Sequence, residues 1–272
     1  MGPIEGGIAL SPLTLDDIDD GLALVAEAGW NQTADDWRYL LSAGHGVGVR
    51  DAAGKVIATS TVLPYRPGIG WIGMVLVAGS HRKRGIATRL LREAIDWCKA
   101  EGLVPALDAT PAGREVYRRL GFADGEAVER WRGNGRGAAK ASGAIDLDLA
   151  SRADRAAFGA DRAGLLADLA NRAGSPRIQI QDGLLLGRRG RTATQLGPLL
   201  SPDPSIAVQL LDAAIDTLGG PLLIDVPARE AMLRDKLNAR GFTVERSFTR
   251  MSLDTPAPMG ETMRAIAGPE LG

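Results

Sequence analysis

The chain has 272 residues, 45% of them hydrophobic, with a formal charge of −1 and a pI near 6.2. That is enough for one large or two ordinary domains with a true core, and the near-neutral balance disfavours nucleic-acid binding, which needs a broad basic surface. A single cysteine excludes a disulfide framework, and two histidines offer no zinc-site spacing.

The first nineteen residues show no charged segment followed by an apolar run, and no stretch of about 18 apolar residues occurs. Neither a signal peptide nor a membrane span is expected, and the expected setting is soluble and cytoplasmic. Residues 8–14 read as a short strand. Residues 14–29 read as an amphipathic helix, with acids in its first turn and Gly29 as its stop. A second helix is predicted over 31–44, with Thr33 as N-cap. Two strands, 45–51 and 55–65, flank the turn at Asp51–Gly54. Residues 68–78 form a nearly continuous apolar run, hence a strand buried on both faces.

A helix follows over 84–102, with Ile86, Leu90, Leu91, Ala94, Ile95 and Cys98 at helical spacing and Gly102 closing it. Cys98 therefore reads as a core thiol; it has no basic or helix-start setting that would activate it. A strand over 104–110, a Pro-initiated helix over 111–121 and a strand over 122–131 complete the first half. The stretch "RGNGRGAAKASG" (132–143) is glycine-rich, with no apolar side chain larger than alanine, and reads as a linker.

The second half repeats the first at an offset of 120. "LLREAIDW" (90–97) matches "LLDAAIDT" (210–217), and "LGF" (120–122) matches "RGF" (240–242). "ATPAGRE" (109–115) resembles "DVPARE" (225–230). An internal repeat of this length predicts two related domains rather than a solenoid: residues 1–131, the linker 132–143, and 144–272 with a Pro/Gly-rich tail from 255. The tail is expected to be an extended arm and has no functional reading.

The stretch "HRKRGIATRLLREA" (81–94) carries the chemistry. A basic cluster suits nucleic acid, a solvated helix face or a phosphate turn. Here it follows the strand Val75-Leu76-Val77 and opens a helix. The first amides of a helix lack internal partners and carry the positive end of the macrodipole, so together they make an anion site. Gly85 and Ala87 let an anion reach the backbone. Arg82, Lys83 and Arg84 add charge, and Thr88 adds a hydroxyl. The Walker pattern for nucleotide phosphates is absent.

A strand, a basic turn R-x-x-G-x-A and a helix resemble the GNAT superfamily of acyl-CoA-dependent N-acyltransferases, whose signature is (Q/R)-x-x-G-x-(G/A). The resemblance extends to the Val75-x-Val77 strand and to "VYRRLGF" (116–122), which is similar to the family's closing "LYxxxGF". It implies an α/β (α+β) fold of two tandem GNAT-like domains, each with a mixed, mostly antiparallel sheet flanked by helices. It also implies N-acetyl transfer from acetyl-CoA to a primary amine by direct attack in a ternary complex. Backbone groups from Arg82 through Gly85, Ile86, Ala87 and Thr88 would cradle the coenzyme A pyrophosphate. Val75, Leu76 and Val77 would hold the pantetheine arm, and the strand at 104–109 would splay away to admit the thioester.

Tyr117 matches the family's general acid, a phenol protonated at neutral pH. The central strand offers no carboxylate as base. Asp108 leads the candidates, ahead of His45 and Asp35, beside a water chain with no single base. Trp30, Asn31, Asp35 and Thr110 are expected on the acceptor side; Thr110 stands where family members often carry Asn. In the second copy Arg82, Arg84, Gly85, Thr88 and Tyr117 correspond to Pro202, Pro204, Ser205, Val208 and Leu237. That half is therefore expected to shape the cleft rather than bind coenzyme A, with Asp161 or Arg162 as contributors. The expected partner is a small-molecule or peptide amine, with no nucleic acid, membrane or metal, on a monomer or homodimer. The alternative is an acyl-CoA sensor without turnover.

Overall fold

The computed structural model describes residues 8–139 and 143–272. The periodic segments become β1 (Ser11–Pro12), α1 (Ile18–Ala28), α2 (Ala34–Ala43), β2 (His45–Arg50), β3 (Val56–Tyr65), β4 (Ile69–Val77), α3 (Ile86–Ala100), β5 (Val104–Ala109), α4 (Pro111–Arg119) and β6 (Ala123–Arg136). The second half gives α5 (Leu147–Phe158), α6 (Ala163–Asn171), β7 (Arg177–Ile180), β8 (Gly183–Arg189), β9 (Thr194–Leu200), α7 (Pro204–Thr217), β10 (Gly219–Pro227), α8 (Ala231–Ala239), β11 (Thr243–Ser252) and β12 (Met263–Ala265). From α1 to β6 and from α5 to β11 the order of elements is the same, as the repeat requires. Local chemistry sets the ends: Asp36 reaches back to the amide and hydroxyl of Thr33 to start α2, and Gly29 closes α1 in the left-handed region.

The strands form one sheet in the order β1-β2-β3-β4-β5-β11-β6-β10-β9-β8-β7. Among the described residues, only β4–β5 and β9–β10 are parallel; the other pairings are antiparallel. The order exposes an exchange. By the repeat, β6 belongs beside β5 and β11 beside β10. Instead β11 pairs with β5, β6 pairs with β10, and the two exchanged strands pair with each other.

The exchange corrects the expected linker. Residues 132–136 continue β6 and lie in register with β10, from Arg132 opposite Leu223 to Arg136 opposite Gly219. Gly133 is a contact residue: any side chain there would run into the ring of Phe242. Of the rest of that segment, residues 140–142 lie outside the described residues.

Each exchanged strand is keyed by a buried ion pair. Arg130 on β6 binds Asp225 on β10 at 2.8 Å through two nitrogens. Its counterpart at the offset of 120, Arg250 on β11, binds Asp108 on β5 at 3.0 Å in the same bidentate way. Such pairs give little net stability but penalise any arrangement that separates them. The apolar core also ignores the expected boundary. One cluster joins Val25, Trp37 and Trp71 of the first half to Phe158, Leu165, Leu186 and Leu271 of the second.

Candidate functional site

Strands β4 and β5 pair only from Ile69 opposite Val104 to Trp71 opposite Ala106. Beyond that point they part, and a cleft of about 780 Å³ opens between them. At the parting, β4 carries a bulge against β3 between the pairs Leu76–Thr59 and Gly73–Thr61. Met74 sits there at φ +49°. A bulge takes main-chain groups out of the ladder and occurs often beside sites. Val75, Leu76 and Val77 follow it along the cleft wall.

At the mouth of the cleft the chain turns into α3. Lys83 (φ +61°) and Gly85 (φ +78°) are both left-handed, and no side chain caps the helix. Nothing lies within 4 Å of where a Cβ on Gly85 would stand. The first-turn amides of α3 thus lack a side-chain acceptor, and the positive end of the macrodipole opens onto space an anion fits. Arg82, Lys83 and Ala87 line the cleft. Arg82 is tied to the Val77 carbonyl at 3.0 Å and Arg84 to that of Ser80 at 3.0 Å. Thr88 is half-buried in the first turn. The Ile86 side chain points into the core with Val47, Val49 and Leu90, which leaves only its backbone for a ligand.

Tyr117 enters the same cleft from α4, which Thr110 starts by accepting the Gly113 amide. Its ring packs on Phe122, and no protein hydrogen bond engages its hydroxyl among the described residues. Burial pushes the phenol up to about 12, so it keeps its proton at neutral pH.

Several expected site residues do other work. Asp108 lines the cleft, but both its oxygens are held by Arg250. Burial pushes its carboxyl up against the pull of that guanidinium. With both oxygens engaged in a buried pair, Asp108 has none left over for an amine. Asn31 is buried and fully engaged. Its side chain donates to the Ala193 carbonyl and accepts from the amides of Thr192 and Ala193, stapling the halves together. Asp35 is exposed and pairs with Arg38; it does not reach the cleft. Arg162 is buried against Asp154 and holds the carbonyls of Leu271 and Gly272, while Asp161 pairs with Arg155. Trp30 lines the cleft, whereas Trp37, seven residues on, is core. Cys98 is buried, its thiol pushed up to about 12 by desolvation.

The far wall of the cleft comes from residues whose place depends on pairing. The exchanged strands bring Arg130, Arg246 and Phe248, and the tail brings Pro269 and Glu270. Composition carries no signal for them, because an exchanged strand reads the same as an unexchanged one. The tail is not a loose arm: β12 pairs with β9, and Trp71 donates to the Pro269 carbonyl at 2.9 Å.

In the second half the equivalent features are closed. Helix α7 begins at Pro204 and is capped by Asp203, which accepts the Ser205 amide at 2.7 Å. Strands β9 and β10 part after Leu196 and Ile224, and β12 fills the gap: Met263 and Ala265 pair with β9 while the Ile266 amide donates to Asp225. Leu237, the counterpart of Tyr117, is core. Among the described residues, no group of His, Cys, Asp and Glu is placed to hold a metal, and no helix is long and apolar enough to cross a membrane.

Comparison with known proteins agrees with this geometry. Residues 18–122 match the acetyltransferase (GNAT) family model and residues 150–265 an acetyltransferase (GNAT) domain model. The chain is similar to the Bacillus subtilis (strain 168) protein named uncharacterized N-acetyltransferase YitH, 26% identical over 237 residues that cover 81% of this chain and 83% of that one. A candidate acetyltransferase from Pyrococcus horikoshii shares the fold at a TM-score of 0.81, with 18% identity over 100% of this chain and 98% of that one. A GCN5-related N-acetyltransferase from Sphaerobacter thermophilus shares it at 0.62, with 14% identity over 93% and 96%.

Proposed function

The chain belongs to the acetyltransferase (GNAT) superfamily, and from that membership we propose that it moves an acetyl group from acetyl-CoA to a primary amine by direct attack in a ternary complex. The observation that carries this reading is the uncapped start of α3, facing open space at the mouth of the β4–β5 gap with Tyr117 in the same cleft. Acetyl-CoA would supply the activated thioester. The amides from Arg82 to Thr88, with Lys83 and Arg82 beside them, take the pyrophosphate. Val75–Val77 offers main-chain groups to the pantetheine arm. In this reading a backbone amide at the bulge meets the thioester oxygen, where developing negative charge benefits most from fixed donors. Tyr117 gives its proton to the departing sulfur; a thiolate with a pKa near about 8.5 leaves more easily when protonated.

The acceptor is a small-molecule or peptide amine lying between Trp30 and the wall of Phe248 and Glu270. No cysteine lines the cleft, which favours direct attack over a covalent relay. The test is free-thiol release from acetyl-CoA with a panel of amines. Release above the rate of hydrolysis with at least one amine is expected. Acetyl-CoA binding without release for any amine would instead mark a sensor.

A further inference from the structure

In the proposed reaction an amine must shed a proton before attack, since an alkylammonium near pKa about 10 is mostly charged at pH 7. Three carboxylates line the cleft: Glu27, Asp108 and Glu270. Glu27 sits at the phosphate end, half-exposed, accepting the Gly79 amide. Asp108 is locked by Arg250. Glu270 differs from both. It is 4% exposed; Oε1 pairs with Arg188, and Oε2 is buried with no hydrogen-bond partner. An unsatisfied buried carboxylate oxygen is costly and calls for an explanation, and of the two among the described residues, on Glu93 and Glu270, only that of Glu270 belongs to a residue lining the cleft.

Its position is also specific. Glu270 packs on Gly73 of β4, beside the bulge; a Cβ there would stand 3.1 Å from the Glu270 carbonyl oxygen. Strand β4 itself carries no acid. The missing side chain at Gly73 makes room for the tail, and the tail brings Glu270 into the lining of the cleft. It is held there from both halves: Trp71 donates to the Pro269 carbonyl, Tyr65 to the Leu271 carbonyl at 2.8 Å, and Arg188 to the Ala267 carbonyl at 2.5 Å.

We propose that Glu270, brought into the first-half cleft by the C-terminal tail, is the general base that deprotonates the acceptor amine. This rests on the acetyltransferase reading of the same cleft. The ammonium proton passes to Oε2. The nitrogen lone pair forms the C–N bond and the C–S bond breaks. The sulfur takes the Tyr117 proton, and the second nitrogen proton restores the phenol. The products are the amide, coenzyme A and one proton that Glu270 returns to solvent.

Glu270→Gln keeps the shape and the Arg188 contact while removing the base. Its amine-dependent thiol release should fall about 100-fold or more in kcat, with acetyl-CoA affinity by calorimetry within about twofold. Titration of an active amine into protein saturated with coenzyme A should show binding weakened about tenfold, through loss of the ammonium–carboxylate contact. Glu270→Asp keeps the charge but retracts the carboxylate by one carbon, and about a tenfold loss of kcat is expected. Unchanged kcat in Glu270→Gln overturns the proposal; should that variant not fold, full activity in Glu270→Asp overturns it. A wild-type chain that releases no thiol with any amine overturns the acetyltransferase reading and this inference with it. A wild-type chain that turns over beside an equally active Glu270→Gln overturns this inference alone.

Discussion

Helices α3 and α7 hold equivalent places in the two halves, each following the strand at which the sheet splits. Their bodies agree: Leu90, Leu91, Ala94 and Ile95 are buried in one, and Leu210, Leu211, Ala214 and Ile215 in the other. Their starts do not. The amides of α3 open through Gly85 onto empty space, while α7 is closed by Asp203, a carboxylate from its own chain. The strand gaps beside them differ in the same sense, because β12 fills the second one. Equivalent places in the two halves are thus open in one and filled from within the chain in the other, with the same helix face packed beneath both.

The largest effect is expected where the halves agree. Arg250→Leu strands Asp108 as a buried unpaired charge and should cost about 3–5 kcal/mol in urea unfolding, while adding Asp108→Leu should recover most of the loss. No loss in the single variant would show that the exchanged strand is not keyed by this pair. Gly85→Asp forces a side chain into the left-handed region and puts a negative charge where the phosphate belongs. Acetyl-CoA affinity should fall more than about 100-fold by calorimetry; unchanged affinity would mean α3 and α7 do not differ in function.

Tyr117→Phe should lower kcat by about 100-fold with acetyl-CoA affinity nearly intact. The phenol stands at about 12, so the proton is lost only at high pH. Wild-type kcat should therefore show no alkaline limb from this residue below about pH 10; a limb near neutrality would place the acid elsewhere. The smallest effect is expected from Asp203→Ala, which uncaps α7. Calorimetry should still count one acetyl-CoA per chain, since Pro202 and Pro204 lack amide hydrogens and β12 still occupies the gap. A second equivalent would overturn the asymmetry.

Much of the fold was legible in the chain. Periodicity set α3 and the buried β4, and the structure puts the start of α3 after "RKRG" and Tyr117 on the lining of one cleft. The repeat at 120 gave the doubled element order and marked the second copy as altered. The misreadings share a cause. Asp108, Asn31 and Arg162 are polar residues near the right elements, but their partners, Arg250, the loop at 192–193 and the tail, lie far away in sequence.

Local pattern determines which segments become helices and strands, because side-chain spacing and caps act over a few residues. It also placed the basic turn that opens α3, which is built from consecutive residues. Which strand lies beside which was decided only in three dimensions. The contacts that hold β6 beside β10, such as Arg130 with Asp225 and Gly133 beneath Phe242, join residues far apart in the sequence. The same long-range packing set the Pro/Gly-rich tail beside β9 in the second half and brought Glu270 to the cleft of the first.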